Sequence, residues 1–108
     1  MNIQLKKGLL EVCVLSALSA EDSYGYQIIK DVSSAVEISE STLYPILKRL
    51  ETEHSVEVYT IEHNSRLRKY YRITPEGRSK IDAFLEEWQE VVSVLDFIKQ
   101  KIRSTDHE

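Results

Sequence analysis

Residues 39–51 read SESTLYPILKRLE. Stepping 100° per residue from Leu43 brings Ile46, Leu47 and Leu50 to within about 60° of it, the apolar face of a helix. Ser41, Pro45, Lys48 and Thr52 point the opposite way, with Thr42, Tyr44 and Arg49 beside them. An ordinary solvated face mixes charges. This one carries short hydroxyls near its start and basic groups further on. A helix lying in a DNA major groove wants that order, because its N-terminal residues meet base edges and phosphates while Lys or Arg reaches phosphate or guanine. The periodicity predicts a helix over about 40–53, capped by Ser39 or Ser41, whose neighbouring N–H groups favour a phosphate. If Ser41 is the cap, Pro45 removes only the first intrahelical bond; if Ser39 is, the proline falls in the second turn and kinks the helix. In either case its ring projects from the outward face.

Two further helices precede this one. Leu10, Val14 and Leu18 recur at four-residue spacing with Leu9, Val12 and Leu15 beside them, which predicts a broadly buried helix over about 4–19. After the polar break AEDS a second is expected over about 23–36, with Tyr24, Ile28, Ile29, Val32 and Val36 inward. Gly25 inside it costs roughly 1 kcal/mol against alanine, so close packing is expected there. Three short helices joined by short turns make a helix-turn-helix core.

After the third helix the period changes. SVEVYTIE (55–62) is rich in β-branched and aromatic residues, RLRKYYRI (66–73) alternates, and EHNS lies between them. This is a β-hairpin, and a hairpin directly behind a third helix is a wing. Arg66 and Arg68, with Lys69 beside them, fall at or just past its tip, where arginine enters a minor groove. Then TPEG restarts helix: Thr74 suits the N-cap, Pro75 the first helical position and Glu76 the dipole. The final helix is expected over about 75–102, roughly 42 Å long at 1.5 Å per residue. Ile81, Phe84, Leu85, Trp88, Val91, Val92, Leu95, Ile98 and Ile102 recur along it every three or four residues. Such a stripe is too long to be buried on a domain of about 70 residues, so Ile81, Leu85, Trp88, Val92, Leu95, Ile98 and Ile102 are assigned to a homodimer interface. The expected fold class is therefore mainly α with a β-hairpin wing. A winged helix-turn-helix over 1–74 is followed over 75–108 by a dimerisation helix and a frayed tail.

Composition fits this reading. The chain has 108 residues, 42% hydrophobic and 30% charged, with three Gly and two Pro, the profile of one ordered helix-rich domain. A net charge of −4 argues against a nucleic-acid partner until its distribution is read: −2 over 1–38, +1 over 39–74 and −3 over 75–108, with four basic residues and no acid in 64–72. No apolar run is long enough to span a membrane, and the N-terminal segment scans as an amphipathic helix rather than a signal peptide. Cys13 has no partner for an intrachain disulfide, which suits the cytoplasm, and reads as a small buried hydrophobe. His54, His63 and His107 are scattered. There is no Cys pair, no metal-ligand spacing, no phosphate loop and no triad, so no metal, cofactor or enzyme activity is expected. The competing reading is a winged helix that engages a protein instead of DNA. The basic RLRKYY stretch argues against it.

The same residues carry a family resemblance. LKKGLLEVCVLSALSAEDSYGYQIIKDV, STLYPILKRLE and RKYYRITPEGR resemble the first two helices, the recognition helix and the second wing strand with its following turn in the PadR family of bacterial transcriptional regulators. The resemblance spans about 5–88. It implies a winged helix-turn-helix, a dimerising C-terminal helix, operator DNA as partner and repression relieved by a small molecule. Some members stack a planar ligand between paired aromatics at the dimer interface. That implies an effector site for an aromatic or cationic compound at Trp88, the only tryptophan, with Leu85 and Val92 on the same helix and Glu11 and Leu15 of the first helix completing it. Two departures stand out. His54-Ser55-Val56 replaces the usual Gly-Leu-Ile after the recognition helix, so His54 must end that helix without glycine's freedom, and the wing tip lacks the frequent glycine.

Overall fold

The computed structural model describes residues 2–106. Its elements run α1 (Ile3–Ala17), β1 (Ser23–Tyr24), α2 (Gly25–Val32), α3 (Glu40–Thr52), β2 (Val56–His63), β3 (Arg66–Ile73) and α4 (Pro75–Asp106). The molecule measures 70 × 25 × 22 Å because α4 runs well past the domain it starts from. The frayed tail expected after residue 102 is helical through Asp106, and His107 and Glu108 lie outside the described residues.

The core forms where the apolar faces of α1, α2 and α3 meet the base of the hairpin. Leu15, Ile28, Leu43, Leu47 and Leu50 are fully buried, with Val56, Tyr71 and Ile73 closing the sheet side. Burying each such aliphatic side chain contributes roughly 1.5–3 kcal/mol. The second helix is shorter than its periodicity predicts. Ser23 and Tyr24 are not helical but form a short strand against β3, pairing with Tyr71 and Tyr70. The sheet is thus three-stranded and antiparallel in the order β1-β3-β2. Tyr24 therefore packs on the wing instead of on the inward face of α2.

Helix ends follow local chemistry. α3 starts after Ser39, so Pro45 lies in its second turn, inside a helix that continues to Thr52. At the other end His54 takes a left-handed φ of 61°. The Ser55 N–H donates to the Leu50 carbonyl at 2.8 Å and the His54 N–H to that of Glu51 at 3.0 Å. This pair of bonds is the Schellman motif, which usually has glycine where His54 stands. His54→Gly is accordingly expected to stabilise the chain by about 1 kcal/mol in urea unfolding, since a left-handed non-glycine residue costs roughly that much. A lowered midpoint would mean that the imidazole contributes more than its backbone costs. The wing tip resolves in the same way. Asn64 and Ser65 have φ of 51° and 64° in a two-residue loop between His63 and Arg66, the positive pair that a type I′ hairpin needs. Asn tolerates that region well, so no glycine is required.

α4 begins as expected. The Gly77 N–H donates to Thr74 Oγ1 at 3.1 Å, and the same hydroxyl donates to the His54 carbonyl at 2.6 Å, tying the start of α4 to the end of α3. Gly77 is buried, and Ile81 packs partly into the core of its own chain. The first two turns of α4 thus complete the winged domain. Beyond them Leu85, Val92, Leu95, Ile98 and Ile102 are each 45–57% exposed. Val94 and Phe97, which the stripe did not include, are exposed as well.

Candidate nucleic-acid interface

α3 carries its polar face outward, as its spacing requires. Ser39, Ser41, Thr42, Tyr44, Pro45 and Lys48 are all exposed, while Leu43, Ile46, Leu47 and Leu50 are buried. At its N-terminus the Ser39 hydroxyl makes no capping bond to the backbone. It lies instead 3.0 Å from Ser41 Oγ and 3.3 Å from Thr42 Oγ1. Three hydroxyls that can each donate or accept are thereby gathered at the end of the helix where anions are favoured.

Arg49 departs from the expected arrangement. Its Nη2 donates to Glu11 Oε2 at 3.1 Å, which ties the guanidinium to α1, although the side chain still lines a hollow with Ser41, Thr42 and Pro45, and Lys48 is the exposed cation of the pair. The other oxygen of Glu11 accepts from Lys80 Nζ at 3.2 Å, and Lys80 also pairs with Glu53. Burial pulls the Lys80 pKa down, but the hydrogen bonds that its ammonium donates to Glu53 and Glu11 outweigh it and hold the pKa above its usual value. Glu11 therefore has no spare charge to attract a cationic ligand, which corrects its assignment to an effector site. Leu15 leaves that site too, because it is 0% exposed in the core.

The wing is fixed against the domain by a set of tyrosines and one aspartate. Tyr59 Oη donates to Asp22 Oδ2 at 2.5 Å, and Arg72 Nε donates to the same oxygen at 3.1 Å. The hydrogen bond to Asp22 pushes the Tyr59 pKa up. Tyr70 stacks on Tyr59 with ring centroids 5.8 Å apart and meets Tyr24 at 5.4 Å. The Arg68 guanidinium lies 4.1 Å above the Tyr24 ring. Cation–π attraction there orders Arg68 without neutralising it. Arg66 and Lys69 are exposed, and between the two arginines Leu67 projects with 77% of its surface free. A hollow of about 340 Å³ joins the wing to α3, lined by Tyr24, Gly25, Tyr26, Tyr44, Arg68, Lys69 and Tyr71.

Four residues of this surface escaped the sequence reading. Lys6 and Lys7 of α1 line a second hollow, of about 460 Å³, with Ser41, Thr42 and Pro45, so α1 adds two positive charges alongside α3. Their signal was only a lysine pair at the start of a helix. Tyr26 is 68% exposed beside Tyr44 and Lys69, and Leu67 occupies a strand position whose alternation pointed inward. At the wing tip the hairpin runs past the core, so that alternation has nothing to face.

Trp88 is half-buried, with its ring 5.9 Å from that of Phe84. Cys13 is half-buried beside the core, and burial pushes its thiol pKa up, which disfavours the reactive thiolate. Among the described residues no group of three His, Cys, Asp or Glu side chains is placed to hold a metal. No described helix is long and apolar enough to cross a membrane.

Residues 14–83 match the model of the transcriptional regulator PadR-like family. A solved transcriptional regulator from Clostridium thermocellum is 34% identical, with a TM-score of 0.79 over 89% of this chain and 95% of that one. A Streptococcus mutans UA159 protein is 39% identical, with a TM-score of 0.76 over 87% and 89%. A PadR family transcription regulator from Clostridium difficile R20291 is 31% identical, with a TM-score of 0.73 over 81% and 94%.

Proposed function

The chain belongs to the PadR-like family of transcriptional regulators, and on that premise we propose that it is a cytoplasmic homodimeric repressor of bacterial genes, held on operator DNA through α3 and the wing. The observation that carries this reading is the hollow in which Tyr44 of α3 meets Arg68 and Lys69 of the wing, beside an exposed run of hydroxyls at the start of α3. On this reading, α3 lies in the major groove, with Ser41, Thr42 and Tyr44 at base edges and the Ser39 hydroxyl toward a phosphate. Pro45 meets a sugar or a thymine methyl. Lys48, Lys69, Lys6 and Lys7 take phosphates, and Arg66 and Arg68 reach the minor groove. Paired on a two-fold axis, two recognition helices would stand about 34 Å apart, one turn of DNA.

A gel shift with a duplex from the protein's own promoter region, run across salt concentrations, tests this. Arg66→Ala and Arg68→Ala should weaken binding to all sequences and each flatten the salt slope by roughly 1 for every phosphate left without its arginine. If both variants bind as tightly as the parent with the same slope, the wing is not at the DNA. A winged helix that engages only protein would show no shift at all.

Release by a small effector is the finer part of the proposal. The Trp88 ring, with Leu85 and Val92 one turn to either side on the exposed stripe, offers a flat apolar wall where two copies of α4 would meet. An aromatic or cationic compound fits such a wall. Trp88→Ala should keep the dimer and the gel shift but lose both the ligand-induced fluorescence change and the release from DNA. A variant that stays dimeric and is still released places the effector elsewhere, and one that dissociates makes Trp88 a packing residue.

A further inference from the structure

Gly25 opens α2 and is buried, although nothing in its backbone calls for glycine, since no glycine here has a positive φ. What it supplies is space. A Cβ built on Gly25 would overlap the Tyr44 hydroxyl and lie 3.1 Å from Tyr44 Cζ and 3.4 Å from Cε1. The Tyr44 ring thus occupies the volume that any other residue at position 25 would fill. Tyr44 is 48% exposed, so this contact and the neighbouring Tyr71 and Tyr24, on the same hollow, are what hold a side chain that is otherwise free on the helix surface.

We propose that Gly25 is a positioning residue for DNA reading: by lacking a side chain it seats the Tyr44 ring against the start of α2 and aims its exposed edge at the groove. This rests on the reading that α3 engages operator DNA. A readout side chain held in one orientation before binding loses less conformational freedom on binding, and the gain falls on the specific site alone. Non-specific affinity comes from phosphate contacts and does not pass through Tyr44. Gly25→Ala should leave the fold intact, because the added methyl meets the far end of a half-exposed side chain that can swing outward.

The test is a double-mutant cycle of Gly25→Ala and Tyr44→Ala, read as affinity for a promoter-region duplex and for a scrambled duplex, with thermal melting as the check on folding. Either single substitution should weaken the promoter duplex about tenfold, a base contact's typical worth, and hardly change the scrambled one. In the Tyr44→Ala background Gly25→Ala should have no further effect, the coupling expected of residues that act as a unit. The proposal is overturned if Gly25→Ala binds like the parent, or if it weakens binding equally with and without Tyr44. It is also overturned if Gly25→Ala unfolds the chain in both backgrounds, because the glycine would then be needed for something other than Tyr44. Unfolding in the parent background alone would support the seat. If the unsubstituted protein does not prefer the promoter duplex, the DNA reading fails. The seat is then judged by fluorotyrosine NMR, where a Tyr44 resonance unmoved by Gly25→Ala overturns it.

Discussion

A chain carrying Leu95→Glu and Ile98→Glu is expected to run as a folded monomer in light scattering and to bind its operator on the order of 100-fold more weakly than the parent. Both side chains are 45% exposed in the single chain, so neither holds its own domain together. They stand midway along the part of α4 that leaves the winged unit, among Val91, Val92, Val94 and Ile102, all more than a third exposed. An apolar strip of that extent in water is the mark of a surface that belongs against another. Two carboxylates in the middle of it would each have to be desolvated for the helices to close, which costs several kcal/mol per unpaired charge. Loss of the partner removes the second recognition helix, and with it the gain of two half-sites engaged at once. A doubly substituted chain that remains dimeric would place the interface on another face.

Gly77→Ala is expected to lower stability by about 1 kcal/mol and the melting temperature by about 5 °C, whereas the helical Gly8→Ala should raise stability slightly. Both glycines are helical, so both substitutions gain propensity, but the surroundings differ. A Cβ at Gly8 meets nothing within 4 Å. At Gly77 it would overlap the Ser55 carbonyl oxygen and lie 2.8 Å from Ile73 Cγ1 and 3.3 Å from Leu15 Cδ2. That carbonyl is backbone, and it already accepts from the Thr74 N–H at 3.1 Å, so it cannot swing aside as a surface side chain can. α4 would have to back away from the end of α3, breaking the joint at which the two helices meet. Overpacking of this kind typically costs 1–3 kcal/mol, and the roughly 1 kcal/mol of helix propensity gained by alanine offsets only part of it. Equal melting temperatures for the two variants would show that the joint gives way freely.

Much of the molecule is written in near neighbours along the chain. The alternation of 55–73 made the hairpin, and SESTLYPILKRLE made a helix with one apolar and one hydroxyl-and-basic face, because residues three or four apart on a helix share a side whatever surrounds it. Thr74-Pro75-Glu76 started α4 by the chemistry of a helix end alone. His54 ended α3 in the left-handed geometry that its place after the helix demanded. What local pattern could not decide is which distant group each side chain meets. Ser23 and Tyr24 have a helical period, yet they pair with Tyr71 and Tyr70 because the hairpin edge has backbone groups left to satisfy. Arg49 has the spacing of a DNA contact, yet Glu11, 38 residues earlier, draws it to α1. Leu15 lies one turn from Glu11 on the same helix, and only the closing of three elements over it shows that no ligand can reach it. Gly25 and Tyr44 look unrelated in the chain, and become a single arrangement when α2 and α3 pack closely enough for a ring to fill the place of a missing Cβ. Periodicity is a property of one helix or strand, but the partner of a charge or a ring is set by packing between elements, and that exists only once the chain has folded.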